Sequence, residues 1–243
     1  MRTVLAAAVI GLSLIIAFYL ISHAYKYKFI SSETISVTGL AEKDFVSDLI
    51  VWNGSYSKKY MELRAAYTAL KADEIAVRKY LQNKGISENE MIFSSVEINK
   101  EFDTRTDENG RTTGQIFTGY NLKQNITIES SDVAKVEKLS REATELIESG
   151  IEFNSSSPSY FNTKLSEVKM DLLAKASADA RARAEAIAKN AGSSLGKLKT
   201  ATMGVFQITG KNSNEDYSYG GAFNTSNKLK TGSITIRMEF TTD

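Results

Sequence analysis

The feature that most constrains this chain is the helical run from Asn162 to Asn190. Apolar residues recur at Leu165, Val168, Leu172, Leu173, Ala176, Ala180, Ala184, Ile187 and Ala191. Three-and-four spacing of this kind places them on one stripe of an amphipathic helix. The opposite face carries Lys169, Lys175, Asp179, Arg183 and Lys189. Alanine dominates the second half, favouring helix and letting a neighbouring backbone approach closely. Gly192 stands where a left-handed cap stops such a helix. A helix with one apolar stripe needs a sheet to cover, and the rest of the chain supplies strands.

The second constraint is Val4–Ile21, 18 residues without a charge. As a helix it spans about 27 Å, close to the roughly 30 Å hydrocarbon core of a bilayer. Tyr19, Tyr25, Tyr27 and Phe29 follow as an interfacial aromatic belt. Ser22-His23-Ala24 offers a loose signal-peptidase site, but the run exceeds the usual signal core, and length favours an uncleaved anchor. Arg2 and the terminal amine balance Lys26 and Lys28, so charge does not orient the segment. Residues 1–29 thus read as an anchor with its juxtamembrane segment and 30–243 as one folded domain. Beyond Lys28, 27 basic residues face 29 acidic ones, a net charge of −2 with no basic cluster. That balance argues against nucleic acid as a partner.

From Ile30 onward the pattern predicts the order β-β-α-β-β-α-β-α-β-β. Ile35–Gly39 and Phe45–Ser57 read as strands, the second with apolar residues on both faces and hence covered on both sides. Lys58–Asn83 reads as a helix ended by Gly85. Ile92–Phe102 and Ile116–Ile128 alternate as the arms of a long antiparallel hairpin, joined by the polar stretch Asp103–Gly114. A helix over Val133–Glu148 ends at Gly150, and Ile151–Ser155 is a short strand before the long helix. Lys197–Thr209 and Ser233–Thr241 read as the last strands. The loop between them, Gly210–Lys230, is long enough to be functional or disordered, and Tyr217, Tyr219 and Phe223 mark it as a contact surface. Hairpin strands with one apolar face, covered by helices, make the class α+β.

The inventory for catalysis is thin. His23 is the only histidine and cysteine is absent, so a nucleophilic triad in the soluble part and a zinc site both lack their residues. No phosphate-cradling glycine motif occurs. Asp107-x-Asn109-Gly110 faintly resembles a calcium loop, yet lacks the ligand spacing and closing Glu, and suits a hairpin turn better. Glu88 with Glu90, and Glu215 with Asp216, read as solvated acidic pairs. Trp52, Tyr56, Tyr60 and Tyr67 suit core packing between sheet and helix, with an aromatic ligand pocket as the alternative. No catalytic, cofactor-binding or metal-ligating residue is nominated, and the chain reads as non-enzymatic.

Several local sequences, in order, carry a resemblance. Ile35-Ser36-Val37-Thr38-Gly39, Gly119-Tyr120 with the strand to Ile128, and the Ala180–Ala188 run with Ala191-Gly192 and Leu195-Gly196 are similar to the SIMPL-domain family, whose function is unknown. Thr231-Gly232-Ser233-Ile234 resembles the approach to that family's last strand, and Gly39-Leu40-Ala41-Glu42 departs from its usual turn, lacking a proline. The resemblance spans about Glu33 to Thr242. It implies export to the bacterial envelope, a single pass of the inner membrane with the C-terminal domain in the periplasm, and kinship with ring-forming, channel-like homo-oligomers. It carries over no catalytic residue. On this reading Val4–Ile21 meets the lipid bilayer. Thr104, Arg105, Asn109 and Arg111 at the hairpin tip, with Tyr217, Tyr219 and Phe223, meet other copies. The alternative is a monomeric periplasmic module holding a small ligand or another envelope protein near Trp52.

Overall fold

The computed structural model describes residues 2–29 and 33–242, with side chains described for residues 10–23, 25 and 33–242. In order, the elements are α1 (Arg2–Phe29), β1 (Thr34–Val46), β2 (Leu49–Tyr60), α2 (Leu63–Asn83), β3 (Met91–Phe93), β4 (Glu97–Thr106) and β5 (Thr112–Ser130). Then come α3 (Val133–Glu142), β6 (Phe153–Ser155), β7 (Ser159–Phe161), α4 (Leu165–Asn190), β8 (Leu195–Met203), β9 (Gln207–Gly210) and β10 (Leu229–Thr242). The class is mixed α+β, as expected. The chain divides into two compact units: Met1–Glu42, Met170–Phe206 and Ser233–Asp243 in the first, Lys43–Lys169 and Gln207–Gly232 in the second.

In the first unit, β1, β10 and β8 lie side by side in that order. β10 pairs antiparallel with β8, with Ile236 opposite Met203, Met238 opposite Ala201 and Phe240 opposite Leu198. Helix α4 buries Leu172, Ala176, Ala180, Ala184 and Ala188. The expected stripe is therefore right in position and one residue off at its end, since Ala188 is buried while Ile187 is half exposed. The alanines let α4 come so close that a Cβ on Gly39 would stand 2.2 Å from the Ala176 carbonyl oxygen and 2.5 Å from the Ala180 nitrogen. Asp179 Oδ2 accepts the Leu40 N–H at 2.9 Å and the Arg183 Nε–H at 2.8 Å, tying the helix to the strand. That backbone donor, before the Arg183 guanidinium, holds the Asp179 carboxyl below its usual range.

On α1, Ile10, Leu12, Leu14, Ile15, Ile16, Phe18, Tyr19, Leu20 and Ile21 are each more than half exposed. Among the described residues no helix is long and apolar enough to cross a membrane. The side chains of residues 4–9, the first third of the expected span, lie outside the described residues, as do those of Tyr27 and Phe29.

The second unit holds a six-stranded sheet in the order β3-β5-β2-β6, with β4 also on β5 and β7 also on β2. Its pairings are antiparallel, the longest running from Ile50 opposite Ser130 to Tyr60 opposite Tyr120. Ile50, Trp52 and Tyr56 of β2 and Leu122, Ile126 and Ile128 of β5 pack against Ala66, Leu70, Val77 and Leu81 of α2 and Val133, Val136 and Leu139 of α3. The sheet is covered on one face: Asn53 is exposed and Leu49 and Val51 are only half buried, so β2 is not covered on both sides as its composition suggests.

Other boundaries differ for local reasons. Lys58–Tyr60 stays in β2 because each residue finds a partner on β5. The expected first arm breaks at residues 94–96, where Ser94 turns its hydroxyl to the Asn125 N–H at 3.0 Å. The third helix tightens after Glu142 into a 3₁₀ segment, Ala143–Ser149. Residues 204–206 interrupt the expected strand Lys197–Thr209, although the Gly204 N–H still donates to the Thr235 carbonyl at 2.9 Å, next in register to Met203 opposite Ile236.

Candidate functional site

The expected calcium-like tip is a turn. The Asp107 carboxylate Oδ1 accepts the Asn109 N–H at 2.9 Å and the Arg111 N–H at 2.8 Å, and Gly110 N–H donates to the Asp107 carbonyl at 3.0 Å. With its carboxylate spent on backbone donors, Asp107 fixes the tip. Residues 103–106 and 112–114, expected as loop, pair across the ladder down to Thr106 opposite Thr112. Thr104, Arg105, Asn109 and Arg111 are all exposed there.

The arms carry a feature that alternation does not reveal. Glu101 faces Gly119, but Phe102 faces Phe117, so Thr118 is an extra residue on β5 and the ladder bulges. A bulge flips the parity of the bulged strand. Below it, Ile98, Lys100, Leu122 and Tyr120 share the helix-side face by register. Above it Phe117, not Ile116, joins that face. Phe117 packs edge-on against Phe102 at 5.6 Å and against Tyr120 at 5.2 Å between ring centroids. Tyr60 lies directly across from Tyr120. Tyr60, Phe102 and the following Met61 are 45%, 49% and 61% exposed. The result is an aromatic platform on the helix-side face.

Tyr217, Tyr219 and Phe223 lie on a second projection, which is ordered rather than slack. Gln207 clamps it, its amide donating to the Ser218 carbonyl at 2.8 Å and accepting the N–H of Ala222 at 2.7 Å and of Ser218 at 3.1 Å. Ile208 and Asn224 exchange backbone bonds with it, Ile208 N–H to the Ala222 carbonyl and Asn224 N–H to the Ile208 carbonyl, both 2.8 Å. Beneath it, buried Lys230 donates to the Asn224 carbonyl at 2.5 Å. Burial lowers the Lys230 pKa. The Asn224 amide donates to Glu215. The Gly210 N–H reaches Glu215 Oε2 at 2.8 Å, and this bond leads in holding the Glu215 carboxyl below its usual range. Glu215 is thus exposed, as expected, and at the same time a fastener of the loop. The loop carries Tyr219 fully into solvent, with Tyr217 and Phe223 more than half exposed.

Glu90, expected as a solvated acid, is half-buried and held by its neighbours. Its Oε2 accepts from the Ser87 N–H at 2.9 Å and the Ser87 hydroxyl at 2.5 Å, and its Oε1 from the Ser130 hydroxyl at 2.5 Å. The Ser130 and Ser87 donors bring its carboxyl down to about 2, against 4.5 when unfolded. A folded pKa below the unfolded one means stability fully present above pH 4.5 and lost as pH falls toward 2. After discounting for solvent screening the contribution is about 2 kcal/mol at most. Urea melts between pH 6 and 3 check this: Glu90→Gln is expected to flatten the acid limb, and an unchanged slope would refute it.

Trp52 and Tyr56, candidates for a ligand wall, are fully buried. The Trp52 indole donates to Ser155 Oγ at 3.1 Å and its ring lies 5.9 Å from that of Phe153. The Tyr56 hydroxyl donates to Gln124 at 2.8 Å, and burial, more than the nearby Glu74, raises its pKa. They are core; Tyr60 and Tyr67 remain half exposed. Among the described residues no group of three or more His, Asp or Glu side chains could hold a metal ion.

The family model SIMPL, described as a protein of unknown function (DUF541), matches residues 35–242. No curated protein matches the chain.

Proposed function

The chain belongs to the SIMPL family, and we propose that it is a membrane-anchored, non-enzymatic protein of the bacterial envelope whose SIMPL domain assembles with copies of itself into a closed ring or cage. One observation carries the reading: a helix apolar on every side exposes most of the side-chain surface from Ile10 to Ile21. Apolar surface on that scale is not left in water, and lipid or further copies must cover it. Val4–Ile21 is the segment assigned to the bilayer, in a single pass of the inner membrane with the domain in the periplasm. Self-contact falls to the two projections of the second unit, the hairpin with Thr104, Arg105, Asn109 and Arg111 and the loop with Tyr217, Tyr219 and Phe223. Repeated contacts between identical subunits end in closed symmetry. Absence of cysteine, the single histidine on α1 and the engagement of Glu90 and Glu215 by their neighbours support a non-catalytic role. Burial of Trp52 removes the wall that a ligand-binding module would present there.

Light scattering of the full-length chain in detergent tests this. The expected result is one species whose protein mass is a whole multiple, three or more, of 26.8 kDa. A uniform monomer refutes the assembly, and recovery in the soluble fraction without detergent refutes the anchor.

A further inference from the structure

Two aromatic surfaces of the second unit have opposite shapes. The platform of Tyr60, Phe102, Phe117 and Tyr120 is broad and held rigid by its edge-to-face rings and by the strand register. The loop is a protrusion, fixed from below by Gln207, Glu215 and Lys230, that ends in a fully exposed Tyr219 with Phe223 beside its base. We propose that the Tyr219 loop of one subunit seats on the Phe102–Phe117–Tyr120 platform of the next, a head-to-tail contact between copies of this chain. The inference rests on the self-assembly reading above and gives it a defined interface.

Three observations commit the platform to this occupant. The loop is ordered before contact, so docking it costs little conformational entropy. Areas match: at about 200 Å² per residue, the exposed fractions of Tyr217, Tyr219 and Phe223 give roughly 450 Å², and those of Tyr60, Met61 and Phe102 with the half-buried Phe117 and Tyr120 roughly 350–450 Å², hence about 800–900 Å² per contact, the size of a weak single interface. Each subunit of a head-to-tail ring takes part in two such contacts, once through its loop and once through its platform, so both must break before a subunit leaves a closed ring. Charge also matches. Lys100 lies directly across from Tyr120 at the platform, and exposed Asp216 sits among the residues leading to the loop's aromatic end. Because the two surfaces differ, the contact cannot be two-fold symmetric in itself. Repetition then closes a ring or grows a filament.

The cysteine-free chain makes the test direct. Full-length Tyr219→Cys and Phe102→Cys chains, co-expressed, purified in detergent and treated with a short bis-maleimide, are expected to link into a covalent dimer. Neither is expected to link when expressed alone, and the double variant should give a ladder of higher multimers. Met61→Cys, at an exposed bend beside the platform, replaces Phe102→Cys if the latter weakens the hairpin, with the same expectation. Self-linking of the Phe102 or Met61 variant alone overturns the proposal in favour of a face-to-face contact. An oligomeric mass with no link in either pairing also overturns it while leaving self-assembly standing. A monomeric mass overturns both.

Discussion

Gly39→Ala is expected to cost the chain at least about 3 kcal/mol, the upper range for forcing extra volume into a packed layer. The added methyl would stand 2.2 Å from the Ala176 oxygen, 2.5 Å from the Ala180 nitrogen and 2.8 Å from the Ala180 Cβ. Two of these three are backbone atoms of α4 and cannot swing aside, so helix and strand must separate. Separation would also break the 2.9 Å bond from Leu40 N–H to Asp179 and open the alanine seam from Ala176 to Ala188. For a chain of this size the loss corresponds to a fall in melting temperature of roughly 6–12 °C, read from the helical signal in circular dichroism. Ala180→Gly in the same chain removes only the side-chain clash and should not restore stability. A melting point within 2 °C of the parent would show that the seam yields, and would refute the rigid packing argued here.

The long helix was legible because its causes are local: spacing, alanine content and a glycine stop all lie within 30 residues. Gly85, Gly150 and Gly192 end their helices for the same reason, each at positive φ. The one-sided burial of β2 was not legible, because Val51 and Leu49 look like core until α2 and α3 are known to share one face. Glu90 and Lys230 illustrate a further limit. Glu90 is held by Ser130, 40 positions away. Lys230 is buried by a loop whose own order depends on Gln207 and Glu215. Charged residues in polar stretches read as solvated unless the distant donor is known. Of the proposed contact residues, aromatic content picked out Tyr217, Tyr219 and Phe223, all of which are exposed. Phe102 and Phe117 were passed over, since strict alternation puts Ile116, Thr118 and Tyr120 on one face and hides the register shift.

That shift underlies the second large effect. Gly119 has φ +133°, and a Cβ there would lie 2.8 Å from the Tyr60 carbonyl oxygen, again a backbone atom. A β-branched residue cannot hold this conformation cheaply. Gly119→Val should therefore expel the bulge and put Thr118 opposite Phe102, turning Phe117 to the other face. The expected outcome is a loss of about 2–3 kcal/mol together with loss of the oligomeric mass and of the Tyr219–Phe102 link. Instability alone could mimic this, so a second change separates the causes. Deleting Thr118 from the Gly119→Val chain removes the extra residue, and regular alternation then returns Phe117 to its place opposite Phe102. If the platform is what the neighbouring subunit's loop recognises, the deletion restores linking even where stability stays below the parent's. If linking remains absent while the chain is folded by circular dichroism, the face on which Phe117 lies has no part in assembly.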